Sequence, residues 1–160
     1  MNKYTPHVYV VPEDDANRQI ADGFVLHHRV LDRRIQVVPP SGGWRNVLKS
    51  FQDEYIPALR KHTQSHVILL IDFDSKGEAR YDEFAKAIPD DIRGRVFVVG
   101  SEHDPETLRR AFAVHLDEIG LSLAHDCDED TTSFWGHEQL LHNESERQRL
   151  IQTVKPFLLS

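Results

Sequence analysis

Four short runs of aliphatic and β-branched residues, each followed by a stretch at helical spacing, constrain this chain more than any other feature. His7-Val8-Tyr9-Val10-Val11 reads as a strand stopped by Pro12, and Ile35-Gln36-Val37-Val38 as a second, ended by Pro39-Pro40. Val67-Ile68-Leu69-Leu70-Ile71 and Val96-Phe97-Val98-Val99 supply the third and fourth. Apolar residues fill nearly every position of these runs, which is the pattern of strands covered on both faces. Strands of that kind, alternating with helices, form a parallel sheet. The expectation is an α/β fold: an open four-stranded, mostly parallel sheet with helices on both faces, built from four strand–helix units.

The stretches between the strands support this reading. Ile20, Phe24, Val25, Leu26 and Leu31 form a stripe that predicts a helix beginning at Asp14 or Asp15. After the Ser41-Gly42-Gly43 turn, Trp44, Val47, Leu48, Phe51, Tyr55, Ile56 and Leu59 mark a second helix, which Pro57 is expected to kink or split. A short helix is predicted over 81–87, and another from about Pro105, since proline favours the first turn. Residues 1–120 read as one α/β domain. Residues 121–160 change character, with an acidic stretch, Asp126-Cys127-Asp128-Glu129-Asp130, then Phe134-Trp135-Gly136. Helices are expected around 138–142 and 145–154, as a C-terminal helical extension packed on the same domain.

Composition narrows the function classes. The 160 residues carry 19 basic and 26 acidic side chains, a formal charge of −7. Nonspecific DNA affinity comes from Lys and Arg neutralising phosphates, so this chain is not a bulk electrostatic binder of duplex DNA. Nucleic acid remains accessible through a local basic patch, or through divalent ions that offset clustered carboxylates. No apolar run approaches the ~20 residues needed to cross a bilayer. No apolar segment follows Met1, and Cys127 is the only cysteine, so a cytoplasmic protein without an intramolecular disulfide is expected.

In open parallel sheets, ligands gather outside the carboxyl ends of the strands. Three of the four runs end in acidic residues: Glu13-Asp14-Asp15, Asp72-Phe73-Asp74, and Glu102-His103-Asp104. Adjacent strands bring these carboxylates to one edge, where like charges require a cation or raised pKa values. Hard oxygen ligands suit Mg²⁺ or Mn²⁺, which can position a phosphodiester and activate water. The competing reading is that Asp14, Asp15, Glu102, Asp104 and Glu106 are helix caps and dipole partners. Asp72-Phe73-Asp74 resists that reading, because it directly follows the most hydrophobic run.

Val10-Val11-Pro12-Glu13 before a helix, with Ile71-Asp72-Phe73-Asp74 after a later strand, resembles the Toprim pattern. The resemblance covers roughly residues 8–112, including Gly42-Gly43-Trp44 and Arg95-Val96-Phe97-Val98-Val99-Gly100. More narrowly, the chain resembles small Toprim-related bacterial proteins of uncharacterised function, some suspected of nuclease or phage-defence roles. The resemblance implies that Glu13 is an acid/base or metal-linked carboxylate and that Asp72 and Asp74 hold Mg²⁺ for phosphodiester chemistry on nucleic acid. Many Toprim sequences place glycine after the glutamate, whereas this chain has Asp14. That departure leaves open which carboxylate fills the role. It also keeps open a catalytically degenerate binding or regulatory subunit acting with a larger partner such as an ATPase.

Other patterns compete. The Val10–Arg18 stretch, Leu69-Leu70-Ile71-Asp72 and Lys155-Pro156-Phe157 echo a receiver domain phosphorylated at Asp72, but Lys155 follows a helical stretch instead of a fifth strand. His125, Cys127, His137 and His142 offer zinc ligands, although the first pair lacks the usual spacing. Ser41-Gly42-Gly43 can present amides to a phosphate, yet it lacks the P-loop and dinucleotide fingerprints. No G-x-S-x-G elbow supports a serine hydrolase. Many basic side chains, Arg33, Arg34, Arg60 and Lys61 among them, fall in the C-terminal half of their helices, where they complement the dipole. Lys49 lies early in its helix and is the cation expected to reach a scissile phosphate. Trp135, His137 and His142 belong to the site only if the extension covers the acidic edge.

Overall fold

The computed structural model describes residues 1–160. Its centre is a four-stranded sheet of β1 (His7–Pro12), β2 (Ile35–Val37), β3 (Ser65–Leu70) and β4 (Val96–Val99), in the order β2-β1-β3-β4. All three strand pairs are parallel. β1 and β3 pair over their whole length, from His7 opposite Ser65 to Pro12 opposite Leu70. The chain steps outward from β1 to β2, then crosses back over β1 to β3. Strand order therefore reverses between β1 and β3, the place where open α/β sheets form a crevice.

Eight α-helices complete the fold: α1 (Asp15–Val25), α2 (Trp44–Ser50), α3 (Ile56–Lys61), α4 (Glu78–Ala85), α5 (Pro105–Phe112), α6 (Leu116–Glu129), α7 (Glu144–Thr153) and α8 (Lys155–Leu158). Alternation along the strands divides the apolar residues between two cores. Val11, Val67, Leu69, Ile71 and Val98 pack with Val47, Phe51, Leu59 and Phe84 on one face. Val8, Val10, Ile35 and Phe97 pack with Ala21, Ala124, Val154 and Leu158 on the other. No helix is long and apolar enough to cross a membrane.

Several boundaries differ from the sequence reading. The first helix ends at Val25; Leu26 is 72% exposed and Leu31 is exposed too, because the chain turns away and returns to the core only at Val30. The second helix is split, as Pro57 implied. A π-helical turn over Phe51–Tyr55 separates α2 from α3, and Pro57, lacking an N–H, sits in the first turn of α3. Residues 138–142 are not a helix but a series of turns leading into a 3₁₀ turn at Leu141–Asn143.

The position between residues 120 and 121 falls inside α6, which packs along α1. A Cβ on Gly23 would lie 1.9 Å from the Asp117 carbonyl oxygen, and one on Gly120 would lie 1.9 Å from the Ile20 carbonyl oxygen. Each helix thus contributes a glycine where the other's backbone touches it. The sequence signals missed this helix because its last turn is the acidic stretch that marked a change of character.

The C-terminal residues also close an edge of the sheet. β4 is an edge strand, and its outer backbone groups find side chains instead of a fifth strand. Glu146 Oε2 accepts the Val98 N–H at 2.7 Å, and Asn143 accepts the Gly100 N–H at 3.1 Å while donating to the Gly100 carbonyl at 2.9 Å. Blocking these groups removes a template for pairing with another chain.

Candidate functional site

Pro12 ends β1 and delivers Glu13 to the crevice, where its backbone is fixed from both sides. Glu13 N–H donates to the Leu70 carbonyl at 2.9 Å, and the Glu13 carbonyl accepts from Gly42 and Gly43 at 2.8 and 3.1 Å. Gly42 and Gly43 have φ of 87° and 124°, so glycine is required for this turn. Their amides are consumed by Glu13, and the turn is a brace for residue 13, not a phosphate cradle.

Asp72, two residues past β3, is joined to Glu13 directly: its N–H donates to Glu13 Oε2 at 2.6 Å. Asn17, in the first turn of α1, donates from Nδ2 to Asp72 Oδ1 at 2.8 Å and to Asp14 Oδ1 at 3.0 Å. Asp14 is the N-cap of α1, accepting the Asn17 N–H at 2.9 Å. Asp104 caps α5 in the same way through Thr107. The capping interpretation therefore holds for Asp14 and Asp104.

Glu13 and Asp72 are 8% and 7% exposed, and neither forms an ion pair with a lysine, arginine or histidine. Burial pushes the Asp72 carboxyl up to about 7; the Asn17 hydrogen bond opposes this, while Glu13, Asp14 and Asp74 add to it through like-charge repulsion. Burial also raises Glu13, against the lowering effect of the Asp72 N–H. Hydrogen bonds engage only Oε2 of Glu13 and Oδ1 of Asp72, leaving the second oxygen of each free.

Asp74 lies in a left-handed turn with Ser75, at φ of 51° and 58°, and its side chain is about half exposed. Arg80 Nη1 donates to Asp74 Oδ2 at 2.9 Å and to the Asp72 carbonyl at 3.2 Å. Arg80 is 5% exposed, and its guanidinium stacks over Trp44, with Cζ 4.2 Å from the ring centroid. Arg80 is the cation that reaches the Asp74 carboxylate. Lys49 is not: its side chain is 74% exposed and pairs with Asp53 on its own helical face at 2.6 Å.

The C-terminal segment reaches the same end of the sheet beside β4. Glu102 donates its N–H to the Gln139 carbonyl at 2.8 Å, and His142 Nδ1 lies 3.4 Å from Glu102 Oε2. The His142 ring packs edge-on against Phe73, with centroids 4.7 Å apart, and burial lowers its pKa against the pull of Glu102. Trp135 is instead a core residue whose indole N–H donates to the Leu123 carbonyl, and His137 packs on Phe112. Cys127 is buried, which pushes its thiol up to about 11. Lys155 donates to the Asp128 carbonyl at 3.1 Å, an arrangement that does not supply a lysine to Asp72.

No three His, Cys, Asp or Glu side chains converge as a ready-made metal group. The donors at the crevice are nonetheless all oxygen, and Glu13, Asp72 and Asp74 each retain one oxygen without a hydrogen bond. Such a set fits Mg²⁺ or Mn²⁺, which bind through one or two carboxylates and keep several waters, better than it fits zinc. Asn17 and Arg80 were missed in the sequence. Arg80 did carry a signal, because arginine in a helix's first turn opposes the dipole and needs a local anion.

No protein-family model matches the chain, and no curated protein or solved structure is significantly similar to it.

Proposed function

We propose that the protein carries out Mg²⁺- or Mn²⁺-dependent phosphodiester chemistry on nucleic acid, with a nuclease-like activity centred on Glu13, Asp72 and Asp74. The observation that carries this reading is the Glu13–Asp72 pair: two buried, hydrogen-bonded carboxylates with no cationic partner, flanking the reversal of strand order. Buried carboxylates elsewhere in proteins are paired or coordinate metals. The Toprim resemblance of the same residues supports the assignment, and a role in bacterial genome defence or repair follows from that resemblance.

A divalent cation bound here supplies positive charge to the phosphate and lowers the pKa of a coordinated water. Asp72 and Glu13 would hold that cation through the oxygens left without a hydrogen bond. Glu13, fixed through Oε2, has Oε1 left to face that cation, and the Asn17 bond keeps the Asp72 carboxylate in one orientation. Arg80 anchors the Asp72–Asp74 turn. The test is cleavage of single- and double-stranded DNA with Mg²⁺, Mn²⁺ or a chelator. Cleavage that requires the metal and disappears in Asp72→Asn, with an unchanged circular dichroism spectrum, supports the proposal; equal cleavage by that variant overturns it.

One observation favours a second reading. Asp74 is held by Arg80 and the three carboxylates do not converge, as expected of a degenerate site in a binding subunit. That reading predicts no cleavage by the isolated chain with any divalent metal, and restoration only by a larger partner such as an ATPase.

A further inference from the structure

We infer that Arg80 is a recognition site for a phosphate oxyanion beside the acidic crevice, the group through which a phosphate ester is positioned against Glu13 and Asp72. The inference rests on the reading of that crevice given above, and it adds the residue that recognises the substrate.

Both hydrogen bonds of the Arg80 guanidinium leave from Nη1. Its Nε–H is buried with no hydrogen-bond partner, and Nη2 donates to no group in the chain. The Nε–Nη2 edge of arginine is a planar fork that matches two oxygens of a phosphate or carboxylate. Here that edge has no hydrogen-bond partner, in a residue that is 5% exposed. The nearest carboxylate is Glu83, whose Oε1 lies 3.9 Å from Nε, beyond hydrogen-bond distance.

A guanidinium serving only to neutralise the acidic cluster gains most by bidentate pairing with Asp74. Arg80 instead gives Asp74 a single Nη1 bond and leaves the fork free. Two contacts hold it in place. The indole of Trp44 lies under the guanidinium, with Phe84 against the ring on the core side at a centroid distance of 6.1 Å, and the Asp72 carbonyl fixes Nη1. Arg45 adds a second guanidinium on Trp44, its Cζ 4.6 Å from the ring centroid, on an exposed residue. The chain is acidic overall, yet Arg80, stacked on Trp44, stands directly beside the carboxylate crevice. That juxtaposition of cation and carboxylate suits an anion that arrives with a divalent metal.

The test is calorimetric titration of inorganic phosphate, with and without MgCl₂, into the wild type, Arg80→Met, Arg80→Lys and Glu83→Gln, with Mn²⁺ titrated into each in parallel. Loss of charge-assisted hydrogen bonds predicts about tenfold or greater weakening of phosphate binding in Arg80→Met. Arg80→Lys, which keeps the charge and loses the fork, falls between. Glu83→Gln removes the only carboxylate competing for Nε and tightens phosphate binding about threefold. Glu83 is partly exposed, so this variant remains informative if Arg80→Met does not fold.

Absence of phosphate binding to the wild type, or equal affinity in Arg80→Met, overturns the inference. So does weaker binding in Glu83→Gln, which assigns the Nε edge to Glu83. Mn²⁺ binding that persists while phosphate ignores Arg80 overturns the subsite alone. Arg80-dependent phosphate binding without any Mn²⁺ binding overturns the metal reading and leaves the subsite standing. Competition by oligothymidylate assigns the bound group to a phosphodiester, and competition by thymidine monophosphate alone assigns it to a monoester; either supports the site.

Discussion

The molecule buries two pairs of carboxylates, and it treats them in opposite ways. Along β4 and the end of α6, Glu146 and Asp126 are fully engaged. Glu146 accepts the Val98 N–H on one oxygen and Arg149 on the other, while Asp126 accepts from Thr131 Oγ1 and from the Phe134 and Trp135 N–H groups. At the ends of β1 and β3, Glu13 and Asp72 are equally buried, yet each leaves one oxygen free and neither meets a cation. Engaged carboxylates hold a structure together, whereas the second arrangement costs stability unless a cation or proton arrives. The difference separates carboxylates that clamp the fold together from a pair that each leave one oxygen without a partner.

The largest expected effect lies at the clamp. Glu146→Ala leaves the buried Val98 N–H without an acceptor and Arg149 without its carboxylate, which costs about 2–4 kcal/mol. Urea denaturation measures this directly; a loss under about 1 kcal/mol removes the contrast between the two regions.

At the crevice the sign reverses. Asp72 has a folded-state pKa raised to about 7 from an unfolded value near 4, so the folded protein binds the extra proton between those limits. Its contribution is favourable below about pH 4 and is lost as pH rises through about 7. Asp72→Asn therefore stabilises the metal-free protein at pH 8, and leaves it nearly unchanged at pH 4. Destabilisation at pH 8 contradicts the description of the crevice as a site without its cation.

A smaller effect sharpens the same point. Asn17→Ala removes the one hydrogen bond that favours the charged form of Asp72, so the carboxyl titrates still higher, by NMR of the side-chain carbon. An unchanged titration assigns the shift to burial alone. The smallest effect is at Lys49. Since it pairs only with Asp53 at the surface, Lys49→Ala leaves the melting temperature, metal binding and any cleavage unchanged.

Much of this arrangement was legible in the chain. The four apolar runs located the strands, because strands buried on both faces must be apolar throughout, and the acidic residues ending them located the crevice. Strand order was not legible, since periodicity records which residues are buried but not which strand lies beside which. The partners of the carboxylates were hidden for a related reason. Asn17 meets Asp72 only because β1 and β3 are neighbours, and Arg80 meets Asp74 only through the left-handed turn at Asp74 and Ser75. Lys49 looked well placed on a straight helix, but its nearest opposite charge is one turn away in its own sequence. In the C-terminal segment, Asn143 and Glu146 resembled ordinary surface residues of a polar helix. Their role depends on β4 being an edge, which is a property of the whole sheet.

The central claim is that Glu13 and Asp72 form a cation site, and calorimetric titration of Mn²⁺ at pH 8 into the wild type and Asp72→Asn tests it most directly. The account predicts saturable binding by the wild type that is lost in the variant. No binding by the wild type, or equal binding by both, contradicts it.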